Sequence, residues 1–234
     1  MRAEIPELFD QGGRGYDALV AANPGYHRHL ALSARRMGLR DRGRGLRLLD
    51  AGCGTGASTR ALLTAAPHAE ITAVDGSERM VRTARAKTWP PNVHFAHADV
   101  RSLDEAGVHG PFDGILAAYL VRNLPDLDAG LELLHGLLAP GAPLAVHEYS
   151  LPQRAADRLL WKTVCSAIIL PAARLTTRET ALYRHLRRSV LDFDHPQRLL
   201  NRMRRAGFTD VREIPMTGWQ RTITHTFLGT AADA

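Results

Sequence analysis

Lysine is almost missing from this chain: Lys87 and Lys162 are its only two, although lysine and arginine together make 30 of 234 residues. The formal net charge of +6 is therefore carried by arginine, a skew that reads as high-GC coding bias as much as function. Apart from Arg35-Arg36, Arg40–Arg47 and Arg184–Arg188, the arginines are dispersed over predicted helix faces. No interleaved aromatics or zinc-knuckle spacing accompany them, so no nucleic-acid partner is expected. Cysteine is equally scarce. Cys53 and Cys165 are too few and too far apart for a disulfide framework or a zinc site, and ordinary thiols of a reducing cytosol are expected. Long apolar runs are missing too. The longest, Val164–Ala173, is interrupted by Ser166 and Pro171 and falls short of the ~20 residues that span a bilayer. No apolar segment follows Met1-Arg2-Ala3-Glu4-Ile5-Pro6, so no secretory signal is expected and a soluble, cytoplasmic protein is. Metal-ligand spacing of His, Cys and Asp is absent, as is any nucleophile–base pair. No metal site and no covalent catalysis are expected.

What is present is alternation. Strand-length apolar runs at Leu46–Asp50, Glu70–Asp75, Val93–Ala98, Phe112–Ala118 and Ala142–Tyr149 are separated by helical stretches at Ala57–Ala66, Ser77–Thr88 and Leu127–Leu138. Such alternation predicts an α/β fold, a doubly wound, mostly parallel sheet with helices on both faces. Two further strands, Phe208–Pro215 and Gly218–Leu228, follow the helix Pro196–Ala206 and its stop at Gly207. The expected organisation is a helical N-terminal arm and Gly/Arg-rich connector over 1–45 and a core over 46–150. A helical cap over 151–195 precedes a C-terminal helix and closing strands over 196–234.

The first strand ends in Leu48-Leu49-Asp50 and runs into Ala51-Gly52-Cys53-Gly54-Thr55-Gly56 before the helix. Glycine permits φ > 0 and lets a ligand approach bare main chain. A glycine loop at the carboxyl end of the first parallel strand is the usual position for a nucleotide-type cofactor. Gly52, Gly54 and Ala57 also satisfy the looser dinucleotide pattern G-x-G-x-x-G/A, which leaves a nicotinamide reading open on the glycines alone.

The acid two residues before Gly52 and the compact Gly-x-Gly-x-Gly resemble motif I of class I S-adenosylmethionine-dependent methyltransferases. The run Val74-Asp75-Gly76-Ser77-Glu78-Arg79-Met80-Val81 resembles their next segment, D-x-S-x-x-M-(L/V). The resemblance implies a seven-stranded Rossmann-like sheet whose last strand inserts antiparallel, and S-adenosylmethionine as cofactor. It implies that Asp50, Gly52, Cys53, Gly54, Gly56 and Ala118 surround the cofactor, with Thr59 a further candidate. Asp75 and Gly76 would meet the ribose, and Asp99 and Val100 the adenine. Read without the resemblance, Asp75 and Asp99 are strand-end caps.

Further elements are similar to the quinone C-methyltransferases of ubiquinone and menaquinone biosynthesis. These are Arg122-Asn123-Leu124-Pro125-Asp126 (their R-N-(V/L)-x-D), Leu138-Ala139-Pro140-Gly141, His147-Glu148-Tyr149-Ser150 (their L-E-F-S), Tyr16-Asp17 and Tyr183-Arg184-His185. The chain departs from that family at Thr217-Gly218-Trp219-Gln220-Arg221, at Ala142 and over Leu151–Thr177. The resemblance implies C-methylation of a quinol of the demethylmenaquinol type. A natural-product O-, N- or C-methyltransferase, or a non-catalytic cofactor-binding module, are the alternatives.

Methyl transfer from a sulfonium is an in-line displacement, so alignment of donor and acceptor dominates. Arg122 is the candidate for orienting the acceptor and stabilising a phenolate, with Asn123 beside it. Its alternative is a structural ion pair with Asp126 or Glu148. His147 is the candidate base, and Tyr16 a candidate for closing over the acceptor. The expected partner is a small aromatic or quinol substrate. Contact of the basic surface with an anionic membrane, and a homodimer, are compatible with the sequence.

Overall fold

The computed structural model describes residues 25–152, 154–166 and 181–232. Tyr16, the arm up to residue 24 and the part of the cap at 167–180 lie outside these residues.

Seven strands form one sheet in the order β3-β2-β1-β4-β5-β7-β6. They are β1 (Arg47–Ala51), β2 (Glu70–Asp75), β3 (Val93–His97), β4 (Gly114–Ala118), β5 (Pro143–Tyr149), β6 (Phe208–Pro215) and β7 (Thr224–Ala231). The first five are parallel, whereas β7 runs antiparallel between β5 and β6. This is the inserted last strand that the resemblance implied.

Why β1 and β4 read as unbroken apolar runs follows from their position at the centre. Leu48, Leu49, Ile115 and Leu116 are all fully buried. Side chains alternate across a strand. Leu49 and Ile115 thus pack on one face with Leu131, Leu134 and Phe227, while Leu48 and Leu116 pack on the other with Leu30, Leu62 and Ile71. With both faces covered, no polar alternation survives.

The helices are α1 (Tyr26–Arg36), α2 (Ala57–Ala65), α3 (Glu78–Arg85), α4 (Leu127–Gly136), α5 (Ala155–Val164), α6 (Ala181–Asp192) and α7 (Pro196–Arg205). Their starts carry local signals. Ser77 accepts the Met80 amide at the head of α3, Asp126 accepts the Ala129 amide at the head of α4, and Pro196 opens α7. α1 lies beside α2 and places Leu30 and Ala34 in the core, but its buried side also carries His29 and Ser33. Two polar groups on a buried helix stripe require partners. Trp161 of α5 is buried against Leu151, Cys165, Val190 and Ile223.

The last strand and the connector differ most from the expectation. The last strand begins at Thr224 rather than at Gly218. Gly218 has φ 72° and opens a short 3-10 turn, and the Gln220 side chain turns inward to meet His29 Nδ1 at 3.1 Å. The Gly38–Gly45 connector contains a compact turn at Arg40–Gly43. A Cβ on Gly43 would lie 2.7 Å from Ala66 Cβ, so glycine is what lets this turn seat on the end of α2.

Candidate active site

β1 is flanked by β2 on one side and β4 on the other, so chain connections leave it in opposite directions, and the switch point at which such sheets take ligands falls at the carboxyl ends of β1 and β4. The glycine loop lies there. The Gly52 and Cys53 amides both donate to Val74 O at 2.9 Å, which pins the loop to β2. Gly52, Gly54 and Gly56 have φ of 75°, 54° and 92°. A Cβ on Gly52 would lie 3.1 Å from Leu120 Cδ1 and one on Gly56 2.7 Å from Trp89 Cζ2, whereas one on Gly54 would meet no atom within 4 Å. The outer glycines are therefore demanded by packing, and Gly54 presents bare main chain to open space.

Beneath the loop lies Asp50, fully buried. Its Oδ2 accepts from Ser58 Oγ at 2.9 Å and Thr59 Oγ1 at 2.6 Å, while Oδ1 is buried without a hydrogen-bond partner. Burial raises this carboxyl from 3.8 to about 7. Thr59 is itself fully buried, and its hydroxyl acts on Asp50. The Cys53 thiol is buried and pushed well above its ordinary range by desolvation.

Asp75 closes β2 and accepts the Gly54 amide at 2.8 Å and the Ser77 amide at 2.9 Å, tying the glycine loop to the start of α3. Gly76 O meets His97 Nε2 at 3.1 Å. Asp99, after β3, caps the following turn through the Arg101 amide and pairs with the Arg101 guanidinium at 2.5 Å, which holds its carboxyl below the usual range. Val100 and Ala118 are buried, the latter at the tip of β4.

The ends of β4 and β5 gather aromatic and charged groups. Arg122 Nη1 bonds the fully buried Glu148 at 2.5 Å, and its guanidinium lies 5.6 Å from the Tyr119 ring and 5.7 Å from the Tyr149 ring. Of the two ion pairs left open for Arg122, the one with Glu148 is formed. Asn123 Nδ2 donates to Tyr119 O at 3.0 Å, and its Oδ1 meets His185 Nε2 at 3.2 Å. His147 is fully buried with both ring nitrogens engaged, Nδ1 with Ser33 Oγ at 2.8 Å and Nε2 with the Tyr119 hydroxyl at 3.0 Å. Tyr119 has φ 57°, rare for a non-glycine residue. Its ring stacks on Tyr26 at 5.7 Å and tilts against Tyr149 at 4.8 Å.

A family model described as a methyltransferase domain matches residues 48–141. The demethylmenaquinone methyltransferase of Thermus thermophilus is 32% identical over 165 residues, 70% of this chain and 74% of that protein. The chain belongs to the class I S-adenosylmethionine-dependent methyltransferases. A second relative, the demethylmenaquinone methyltransferase of Chlorobaculum tepidum, is 28% identical over 92% of this methyltransferase and 88% of its own length. Among solved structures, the CurJ carbon methyltransferase superposes with TM-score 0.67 at 19% identity, over 92% of this chain and 58% of that one. Magnesium protoporphyrin IX methyltransferase from Synechocystis superposes with TM-score 0.65 at 15% identity, over 99% and 97%. At these identities the two structures show the shared fold.

The site of this methyltransferase fits its cofactor on its own geometry. The partnerless Asp50 Oδ1 suits a cationic group, and the open face of Gly54 admits a ligand against main chain. Among the described residues, no group of three or more His, Cys, Asp or Glu side chains could hold a metal, and no helix is long and apolar enough to cross a membrane. Sequence reasoning passed over Tyr119 and Tyr149, which with Tyr26 bring three of the chain's five tyrosines to one place. The available signal was a tyrosine directly after the fourth strand, overshadowed by the Arg-Asn pair beside it.

Proposed function

We propose that this methyltransferase acts on a small aromatic acceptor, with a quinol of the demethylmenaquinol type as the leading candidate and a ring carbon as the methylated atom. The observation that carries the aromatic acceptor is the wall of Tyr26, Tyr119 and Tyr149 at the carboxyl ends of β4 and β5, whose Leu120 neighbour packs on Gly52 of the cofactor loop. Offset and tilted ring stacks of this kind favour flat partners. The quinol is supported by the demethylmenaquinone methyltransferases among the relatives, at 28–32% identity.

The bound cofactor supplies an electrophilic methyl group on a sulfonium. In this reading Asp50 faces the cofactor's ammonium, the Gly52–Gly56 main chain follows its methionine part, Asp75 and Gly76 hold the ribose, and Asp99 and Val100 border the adenine. Cys53 and Ala118 line the same wall, and Thr59 holds Asp50 in place. Arg122 and Asn123 act through Tyr119, whose carbonyl both of them grip at 3.3 and 3.0 Å. The arginine-rich surface would meet an anionic lipid face if the acceptor carries a prenyl tail.

The test incubates the protein with methyl-labelled S-adenosylmethionine and a panel of demethylmenaquinol analogues of short and long tail, simple phenols and RNA. Label on a quinol ring carbon is the expected result. Label on a phenol oxygen would move the assignment to a natural-product O-methyltransferase. Tight cofactor binding with label on none of them would overturn the aromatic-acceptor reading.

A further inference from the structure

We infer that the Tyr119 hydroxyl is the donor that holds a ring oxygen of the acceptor, and that a buried chain of side chains commits it to that direction. The inference rests on the aromatic-acceptor reading and adds the group that recognises the acceptor's oxygen.

The chain begins at Arg36 on α1, whose Nη1 donates to Thr226 Oγ1 on β7 at 2.8 Å. Thr226 Oγ1 lies 2.7 Å from Ser33 Oγ, and Ser33 Oγ lies 2.8 Å from His147 Nδ1. His147 Nε2 then meets the Tyr119 hydroxyl at 3.0 Å. Ser33, Thr226 and His147 are fully buried, so each proton needs an acceptor inside the protein.

That requirement sets the polarity. A guanidinium has donors only, so Thr226 receives from Arg36 and must place its own proton elsewhere. Among the described residues its one other side-chain partner is Ser33. Were Ser33 to donate to Thr226, the Thr226 proton would be buried without an acceptor. Thr226 therefore donates to Ser33, and Ser33 donates to Nδ1. An imidazole that accepts at Nδ1 carries its proton on Nε2 and gives it to the Tyr119 oxygen. Burial first, and then the neighbouring His29 and Arg36, hold His147 down at about 3, so no second proton reverses the order. The Tyr119 oxygen thus accepts from the interior, and its own proton points away from it, to the Tyr149 hydroxyl, whose place as acceptor the substrate's oxygen would take.

The backbone is locked to match. The Tyr119 amide donates to His147 O at 2.8 Å, and its carbonyl is gripped by Arg122 and Asn123. A residue with φ 57° persists only where the surroundings over-determine it. Desolvation keeps the Tyr119 phenol well above its ordinary range, so it remains a donor throughout.

The chemistry needs such a donor. An acceptor phenolate moves an oxygen electron pair into the ring. The carbon ortho to that oxygen then bonds the methyl group as the carbon–sulfur bond breaks and sulfur keeps its pair. The proton on that ring carbon leaves to water, which restores the aromatic ring. A fixed hydrogen bond to the phenolate oxygen stabilises its charge and orients the ortho carbon. The acceptor class is accordingly an arene bearing an oxygen beside the methylated carbon.

The experiment follows 1-naphthol by absorbance as it binds and ionises on the full chain saturated with S-adenosylhomocysteine. The wild type is expected to bind the naphtholate and lower its apparent ionisation pH. Tyr119→Phe should weaken naphtholate binding about ten- to a hundredfold and abolish the shift, with S-adenosylhomocysteine affinity unchanged as the folding control. His147→Leu, which keeps the tyrosine but removes what directs it, should give a smaller shift. Equal binding and an equal shift in Tyr119→Phe would overturn the role of Tyr119 and leave the aromatic acceptor standing. A wild type that binds S-adenosylhomocysteine but neither form of naphthol would overturn the aromatic acceptor and this inference with it.

Discussion

Asp50→Asn is expected to strengthen the cofactor-free protein at alkaline pH and weaken cofactor binding. The Asp50 carboxyl titrates near 3.8 when unfolded and at about 7 in the fold. A raised native pKa means that the fold binds the proton more tightly. The group's stabilising contribution is therefore full below 3.8 and is lost as pH rises through about 7. The loss runs at about 1.4 kcal/mol per pH unit between those limits, or about 3 kcal/mol from about pH 5 to about pH 8. Asparagine keeps an oxygen for Ser58 and Thr59 and does not titrate, so its stability lacks this slope. For a domain of this size, about 3 kcal/mol corresponds to about 6–10 °C in midpoint. The wild type minus variant difference in thermal midpoint should move by that much between the two pH values. Cofactor affinity should fall about ten- to a hundredfold, the worth of one bond between charged groups. Calorimetry in buffers of different ionisation enthalpy should show proton release on binding to the wild type near neutral pH and none with the variant. Midpoint differences that stay constant between the two pH values would refute the reasoning.

Arg122→Ala strands the fully buried Glu148 carboxylate and should cost about 3–5 kcal/mol in denaturant titration, recovered in part by adding Glu148→Gln. Gly56→Ala places a Cβ at φ 92° and 2.7 Å from Trp89, so a loss of about 1–3 kcal/mol and a changed Trp89 fluorescence are expected. Asp75→Ala removes the acceptor of the Gly54 and Ser77 amides, and cofactor affinity should fall at least tenfold by equilibrium dialysis, with Asp75→Asn losing less.

Most of the sheet was legible because its strands are buried on both faces and therefore stand out as apolar runs, as Leu48-Leu49 and Ile115-Leu116 do. The glycine loop was legible because its glycines answer local demands: Gly52 and Gly56 for close packing, Gly54 for a positive φ in open space. Thr224 as the start of the last strand was not, since nothing in Gly218–Ile223 announces that Gln220 turns inward to reach a histidine 191 positions away. The hydrogen-bond chain was least visible. Ser33 and Thr226 are separated by 193 positions and Ser33 and His147 by 114, and a lone serine in a helix or threonine in a strand carries no signal until the fold pairs them. Arg122 and Asn123 drew notice for their charge and amide, and their observed bonds grip the less conspicuous tyrosine before them.

The insertion of β7 between β5 and β6 also imposes an order of events during synthesis. Residues 224–231 emerge from the ribosome after every other strand, and until they do β5 is an open edge and β6 has no neighbour. Thr226, the residue that receives Arg36 and passes its proton to Ser33, arrives in that same final segment. A nascent chain halted before it would hold the glycine loop and its acid but leave Ser33 and Arg36 without their shared partner. Pairing at such sequence separation is slow to form. The glycine loop and Asp50 are therefore synthesised well before the strand that supplies Thr226 to Ser33 and Arg36.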